Sequence, residues 1–183
     1  MGRGKNLNRL RELDSDILAE VVREGEARIE AQFSAATAAD QRALSWAGFV
    51  VTITMATTAG SITLISSKIL LPLAIIGVLL SSLLAISAFL AVGTVLPKRF
   101  SLPGNLPENW LPDEWERGFG CNLAQARIEQ ARCLNDQIDD NAKWAGETAK
   151  QLSESMALAL TAVMVAALYS FGFMIFTVLT THH

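Results

Sequence analysis

The sequence predicts an all-α membrane protein with three transmembrane helices, a hairpin plus one, continuous with long cytoplasmic helices. Two observations predict this class: the 183 residues include three long apolar segments without charge, and the charged segments show helical periodicity. The apolar segments are residues 44–66, 69–95 and 156–179. A helix needs about 20 apolar residues to cross roughly 30 Å of hydrocarbon, so each segment is long enough to span a bilayer.

Residues 1–43 are predicted to form a cytoplasmic amphipathic helix. Apolar residues recur at three- and four-residue steps from Leu10 to Phe33, and charged residues fill the other faces. The apolar side of such a helix needs a partner. No proline interrupts the sequence before residue 44, so we expect this helix to continue into the first span.

Residues 44–95 form the predicted transmembrane hairpin. Only Ser66-Ser67-Lys68 separates its two spans, so the spans are expected to lie antiparallel. Pro72 falls in the first turn of the second span, where a missing backbone N–H is tolerated.

Residues 96–155 combine a proline-rich loop with a second long helix, which leads into the third transmembrane helix and short outer tail at residues 156–183. The prolines between Pro97 and Pro112 exclude a helix there. The helix that follows shows heptads. One row contains Ala124, Ala131, Ile138, Ala145 and Leu152, and the next contains Ile128, Asn135, Ala142, Ala149 and Met156.

Heptads of this kind indicate a coiled-coil seam. The predicted seam between copies of the chain consists of Ile128, Asn135, Ile138, Ala142, Ala145 and Leu152. Asn135 has two interpretations: it is buried and fixes the register of the helices, or it faces solvent on a slightly rotated helix.

The distribution of Lys and Arg predicts the orientation. Residues 1–43 contain seven of these side chains and residues 96–155 contain seven more, whereas the hairpin tip has only Lys68 and the C-terminal tail has none. Basic residues of short loops stay on the cytoplasmic side. We therefore expect a cytoplasmic N-terminus and a C-terminus on the opposite side of the membrane.

Composition argues against several function classes. A net charge of −3 does not suit a nucleic-acid-binding protein. The only histidines are His182 and His183, and the two cysteines lie twelve residues apart, so a zinc site lacks ligands. No phosphate-binding motif or nucleophile with a base is evident. The sequence therefore predicts a non-enzymatic protein without metal or cofactor.

Hydroxyl side chains are concentrated in the first span. Thr54, Thr57, Thr58 and Ser61 share one face at helical spacing, with Gly60 beside them. Hydroxyls on such a face can line a narrow aqueous path, or they can bond across helices and to their own backbone. These residues are therefore the pore-lining candidates, with packing inside the bundle as the alternative.

Two short segments carry a family resemblance. Ala39-Asp40-Gln41-Arg42-Ala43 stands at the entry to the first span, and Gln137-Ile138 through Lys143 stands in the helix before the last span. With the order of helices, hairpin and loop, they resemble the Pycsar membrane effectors of bacterial cyclic-nucleotide immunity and the related SLATT-type proteins. The resemblance implies an inner-membrane protein that senses a cyclic nucleotide during phage infection and permeabilises the membrane.

The resemblance makes a cyclic nucleotide the candidate ligand. An anionic ligand needs donors near the membrane mouth, which selects Arg42, Lys98, Arg99 and Arg127, and Asp40 joins them from the entry segment. The positive-inside distribution explains the same basic residues equally well.

The expected function is a homo-oligomeric inner-membrane pore or membrane-disrupting effector, gated from its cytoplasmic helices. One alternative is a non-conducting scaffold or partner-binding subunit in the lipid bilayer. A second alternative is a small ion channel unrelated to defence.

Overall fold

A computed structural model describes residues 7–66, 70–96, 100–102, 104 and 123–181. A short 3-10 helix, Leu7–Glu12, precedes three α-helices, and the described residues include no strand. The α-helices are α1 (Ser15–Ser66), α2 (Leu71–Val95) and α3 (Leu123–Thr181). All three are long and apolar enough to cross a membrane, in agreement with the three predicted spans.

The long helix α1 begins at Ser15, after a break that separates it from the 3-10 helix Leu7–Glu12. Asp14 causes the break, because its side chain accepts a hydrogen bond from the Ser15 backbone N–H at 2.7 Å. Its carbonyl then accepts the first helical bond, from the Leu18 N–H at 2.9 Å. A short acidic side chain that bonds to nearby backbone favours a helix start over a helix interior.

The chain folds as two compact units. The first, called the charged unit here, comprises Met1–Thr37 and Lys98–Gly146. The second, called the apolar unit, comprises Ala38–Pro97 and Glu147–His183.

In the charged unit, α1 and α3 pack side by side and run parallel. Gly25 lies opposite Leu134, and a Cβ at Gly25 would stand 3.0 Å from the Leu134 Cδ1 atom. Further along, the Gln130 amide donates to the Glu26 carboxylate at 2.8 Å. The apolar side of the N-terminal helix therefore has its partner within the chain. The buried apolar residues of this pairing are Leu18, Ile29, Ala126, Ala131 and Leu134.

In the apolar unit, α2 runs antiparallel to both neighbours. Ser61 of α1 lies against Gly77 of α2, and Gln151 of α3 donates to the Leu90 carbonyl at 3.2 Å. A small hydrophobic cluster holds the three helices together. It contains Val50, Leu84, Ala88 and Ala159, with Trp46, Ile53 and Leu80 packed around it.

The second span begins as a helix at Leu71, two residues after the predicted start. Leu70 precedes it in the left-handed region, with φ of 58°, which is rare for a residue with a side chain. The Leu70 carbonyl accepts hydrogen bonds from the Leu73 and Ala74 N–H groups at 3.0 and 3.2 Å. Leu70 therefore caps the N-terminus of α2, and Pro72 occupies the first helical turn as expected.

Candidate functional site

A row of buried polar residues runs along α3. Asn141, Thr148 and Ser155 are spaced seven residues apart and are 2%, 5% and 0% exposed. A spacing of seven keeps side chains on one face of a helix, and Leu134 and Ala162 extend the same row. Buried polar groups need hydrogen-bond partners, and in this polar row Asn141 and Ser155 each make specific side-chain contacts with other segments of the chain.

Asn141 binds the start of the proline-rich loop within the charged unit. Its Oδ1 accepts from the Ser101 N–H at 3.0 Å, and its Nδ2 donates to the Ser101 carbonyl at 3.1 Å. The same amide lies 3.5 Å from the Gln32 Oε1 of α1. The ring of Phe100, next to Ser101, packs at a tilt against Phe33 and edge-on against Trp144, with ring centroids 5.9 and 5.4 Å apart. The loop is therefore anchored to both long helices at this point.

Ser155 joins all three helices of the apolar unit. Its hydroxyl donates to the Ser87 carbonyl at 2.8 Å, and the Ser87 hydroxyl donates to the Ser155 carbonyl at 2.8 Å. The indole Nε1–H of Trp46 donates to the Ser155 hydroxyl at 3.2 Å. Because side-chain hydrogen bonds between transmembrane helices stabilise one packing arrangement, these contacts define the register of α1, α2 and α3.

The sequence-based seam differs from the face that packs inside the chain. In the first predicted row Ala131 is buried, Ala124, Ile138 and Leu152 are half-buried, and Ala145 is exposed. The polar row, which is buried throughout, lies one position before the predicted row of Asn135. The buried polar residue is Asn141, whereas Asn135 is only half-buried. Among the predicted seam residues, Ile128, Asn135, Ile138 and Leu152 are half-buried, and Ala142 and Ala145 are exposed. Their role between copies stays a prediction.

The four pore-lining candidates are hydrogen-bonded to their own helix. Thr54, Thr57, Thr58 and Ser61 each donate to the carbonyl four residues earlier, at 2.8 Å. Ser61 is 3% exposed and lies against α2, Thr54 and Thr57 are half-buried, and Thr58 is exposed. Their hydroxyls are therefore satisfied in an apolar environment, and the pore-lining role stays a prediction.

The candidate ligand contacts are distributed over both units. Arg127 belongs to the charged unit, where its Nη1 donates to the Ser15 carbonyl and hydroxyl, both at 2.8 Å. Arg42 is exposed and belongs to the apolar unit, as does Asp40, whose Oδ1 atom is buried. Lys98 and Arg99 lie outside the described residues. A nucleotide contact of any of these residues therefore stays a prediction.

An apolar groove opens between α2 and α3 in the apolar unit. Its volume is about 230 Å³. Apart from Thr161, the side chains around it are hydrocarbon, which suits a lipid chain or an apolar helix face more than a polar ligand. The lining residues are Ile76, Leu79, Leu80, Leu83, Leu158, Thr161, Ala162, Val165 and Ala166.

Within the described part of the chain, no group of three or more His, Cys, Asp or Glu side chains is placed to hold a metal ion. Comparison of the chain with protein-family models, curated proteins and solved structures found no match.

Proposed function

We propose that this chain is the subunit of a homo-oligomeric assembly in a bacterial inner membrane that opens or disrupts the bilayer. In this proposal the three apolar helices span the membrane, and α1 and α3 extend from it as long cytoplasmic helices that control the assembly. The length of α1 supports this arrangement, because its 52 residues exceed the roughly 20 that a span requires.

The observation that carries the proposal is an exposed face of α1 in the apolar unit. Small and hydroxyl-bearing residues recur on this face at three- and four-residue steps, which is the spacing of the contact positions in coiled coils. Gly48, on this face, has open space at the position of an added Cβ. Small residues allow transmembrane helices to approach closely. The exposed face consists of Ser45, Gly48, Thr52, Ala56, Ala59 and Thr63.

The hydroxyls of this face suit a contact between copies or a narrow polar path. Ser45, Thr52 and Thr63 donate to carbonyls of their own helix at 2.8, 2.9 and 3.0 Å, so their protons are satisfied in lipid. Their oxygen lone pairs remain available to accept further hydrogen bonds. Thr58, one of the pore-lining candidates, is also exposed and adds another hydroxyl to the surface of α1.

Release of a dye or an ion from liposomes tests the proposal. We expect purified full-length protein to release the contents, with a response to cyclic nucleotides if the resemblance to Pycsar effectors extends to the ligand. The double variant Gly48→Leu, Ala59→Leu fills the exposed face of α1. It should lower release by about tenfold, which corresponds to roughly 1.4 kcal/mol of lost association free energy.

A matched control replaces small residues on α3. Ala167 and Gly172 are exposed, and Gly172 has open space at the position of an added Cβ. Ala167→Leu, Gly172→Leu should release contents as the unmodified protein does. Absence of release from the unmodified protein under every condition contradicts the proposal. Release without any nucleotide response favours an ion channel unrelated to defence.

A non-conducting scaffold is the second candidate. The exposed Ala142 and Ala145 of α3 favour it, because these small side chains leave room for a helix of another protein beside the charged unit. Copurification of a second protein in fixed stoichiometry, lost in Ala142→Arg, together with absence of release, supports the scaffold.

A further inference from the structure

Two buried oxygens in the apolar unit lack hydrogen-bond partners among the residues that the structure describes. One is the Oγ1 of Thr148, a residue that is only 5% exposed, and the other is the Oδ1 of Asp40. The absence of a partner is unusual here, since Thr54 and Thr57 donate to their own helix carbonyls at 2.8 Å. A buried polar atom without a partner is unfavourable, so these atoms indicate a ligand.

The two oxygens lie at the same level of the bundle. The hydrogen bond from Trp46 to Ser155 aligns α1 with α3: residues at the same level of the two helices are about 109 positions apart in sequence. Asp40 precedes Trp46 by six residues, and Thr148 precedes Ser155 by seven. On parallel helices this difference of one residue amounts to about 1.5 Å along the axis.

Both residues also lie on the faces where α1 and α3 pack. Thr148 belongs to the polar row of α3. Asp40 precedes the buried Ala43 and Ala47 by three and seven residues, which places it on the same face of α1. The helix register therefore places the carboxylate oxygen and the hydroxyl oxygen at the same level, on the sides of α1 and α3 that face each other.

The chemistry of this pair suits a small cation. Carboxylate and hydroxyl oxygens are hard donors, and a single carboxylate supplies one negative charge. The Asp40 side chain is half-buried and its Oδ1 is the buried oxygen, and no Lys or Arg in the described ranges forms an ion pair with it. The nearby Arg42 side chain is exposed, and the Lys150 Nζ lies 3.9 Å from the Glu154 Oε1, so Lys150 pairs with a different carboxylate.

We propose that Asp40 and Thr148 form a binding site for a monovalent cation, of the size of Na⁺ or K⁺, between α1 and α3 of the apolar unit. The cation connects the two helices at the end of the unit where charged residues begin. This site does not depend on the proposed pore, because a cation bound there stabilises the fold whether or not the assembly conducts.

Thermal unfolding of the full-length protein in detergent tests the site. The Tm is measured in sodium, potassium and N-methylglucamine chloride at equal ionic strength. We expect the Tm to rise saturably with sodium or potassium and to stay lower in N-methylglucamine, which is too large to enter. Asp40→Asn and Thr148→Val should abolish this cation-dependent rise, while Thr148→Ser should retain it.

Two matched controls remove the same groups elsewhere in the apolar unit. Glu154→Gln removes an exposed acidic charge, and Thr58→Val removes an exposed hydroxyl, so both should keep the cation-dependent rise. Equal Tm values of the unmodified protein in the three salts would overturn the proposal. A lower Tm of Thr148→Val in every salt, with no cation dependence in the unmodified protein, would show a bridging water or a direct hydrogen bond instead.

Discussion

At the scale of single residues, the contacts of Ser155 have the largest consequences for the apolar unit. This serine bonds to two other helices, and its side chain is fully buried. Hydrogen bonds between transmembrane helices contribute about 0.6–2 kcal/mol each, and a buried group that loses its partner adds a further cost.

Replacing Ser155 with Ala should therefore lower the free energy of unfolding by about 1–3 kcal/mol. The substitution removes the acceptor of the Trp46 indole N–H and the side-chain donor to the Ser87 carbonyl. Unfolding in mixed detergent measures the change. Ser153→Ala, at an exposed position of the same helix, should change it by less than about 0.5 kcal/mol. Equal losses in the two variants would contradict a specific role for Ser155.

The charged pairs on the surface contribute little by comparison. The hydrogen bond from Arg23 lowers the pKa of Glu20, and the bond from Lys143 to Asp140, at 2.8 Å, raises the pKa of Lys143. Because both pairs are exposed to water, solvent screens them and their effect on stability is small. The buried polar row, in contrast, specifies which faces meet.

At the scale of helices, the predicted rows of α3 share the seven-residue spacing of its buried polar row but occupy different positions. The predicted rows favour the most apolar positions, so Asn135 and Ala142 are chosen over Asn141 and Thr148. The polar row is nevertheless buried, because Asn141 and Ser155 find partners on Ser101 and Ser87. Those partners are distant in sequence, so apolarity alone gives no indication of them.

Gly77 tests how closely α1 and α2 pack. An added Cβ at this position would overlap the Ser61 hydroxyl, and the Ser61 Cβ would stand 3.3 Å away. Gly77→Ala should destabilise the protein by about 1–3 kcal/mol, as overpacking does in tightly packed interiors.

The double variant Gly77→Ala, Ser61→Ala should recover most of that loss, because it removes the overlapping oxygen. Gly172→Ala is the matched control at a helix position with open space, and it should leave stability equal or slightly higher. Thermal unfolding compares the four proteins. A double variant as unstable as Gly77→Ala would contradict a steric cause.

At the scale of the whole molecule, hydropathy predicts the three spans well. The predicted spans 44–66 and 156–179 lie within α1 and α3, whereas α1 begins at Ser15 and α2 begins at Leu71, two residues after the predicted start of the second span. Those starts depend on local features that hydropathy ignores, the side chain of Asp14 and the backbone of Leu70. The two charged helices contact each other in the charged unit, where Gln32 donates to the Ile138 carbonyl at 3.1 Å.

The orientation of the chain can be measured through Cys133, an exposed cysteine of the charged unit. In a Cys121→Ser background, a membrane-impermeant maleimide should label Cys133 only after spheroplasts are permeabilised. The positive-inside distribution is the physical reason. As a control, Thr180→Cys at the other end of α3 should be labelled in intact spheroplasts. Labelling of Cys133 in intact spheroplasts would reverse the proposed orientation.

The offset between paired positions of α1 and α3 determines when this fold can be completed during synthesis. Trp46 meets Ser155, and Gln32 meets Asn141, across 109 residues of chain. At a translation rate of roughly 5–20 residues per second, the ribosome needs about 5–20 s to make the second partner after the first. During that interval the apolar side of α1, with Leu18 and Ile29, has no α3 to cover it. Nascent chains arrested before α3 should therefore be substrates for chaperones and quality-control proteases.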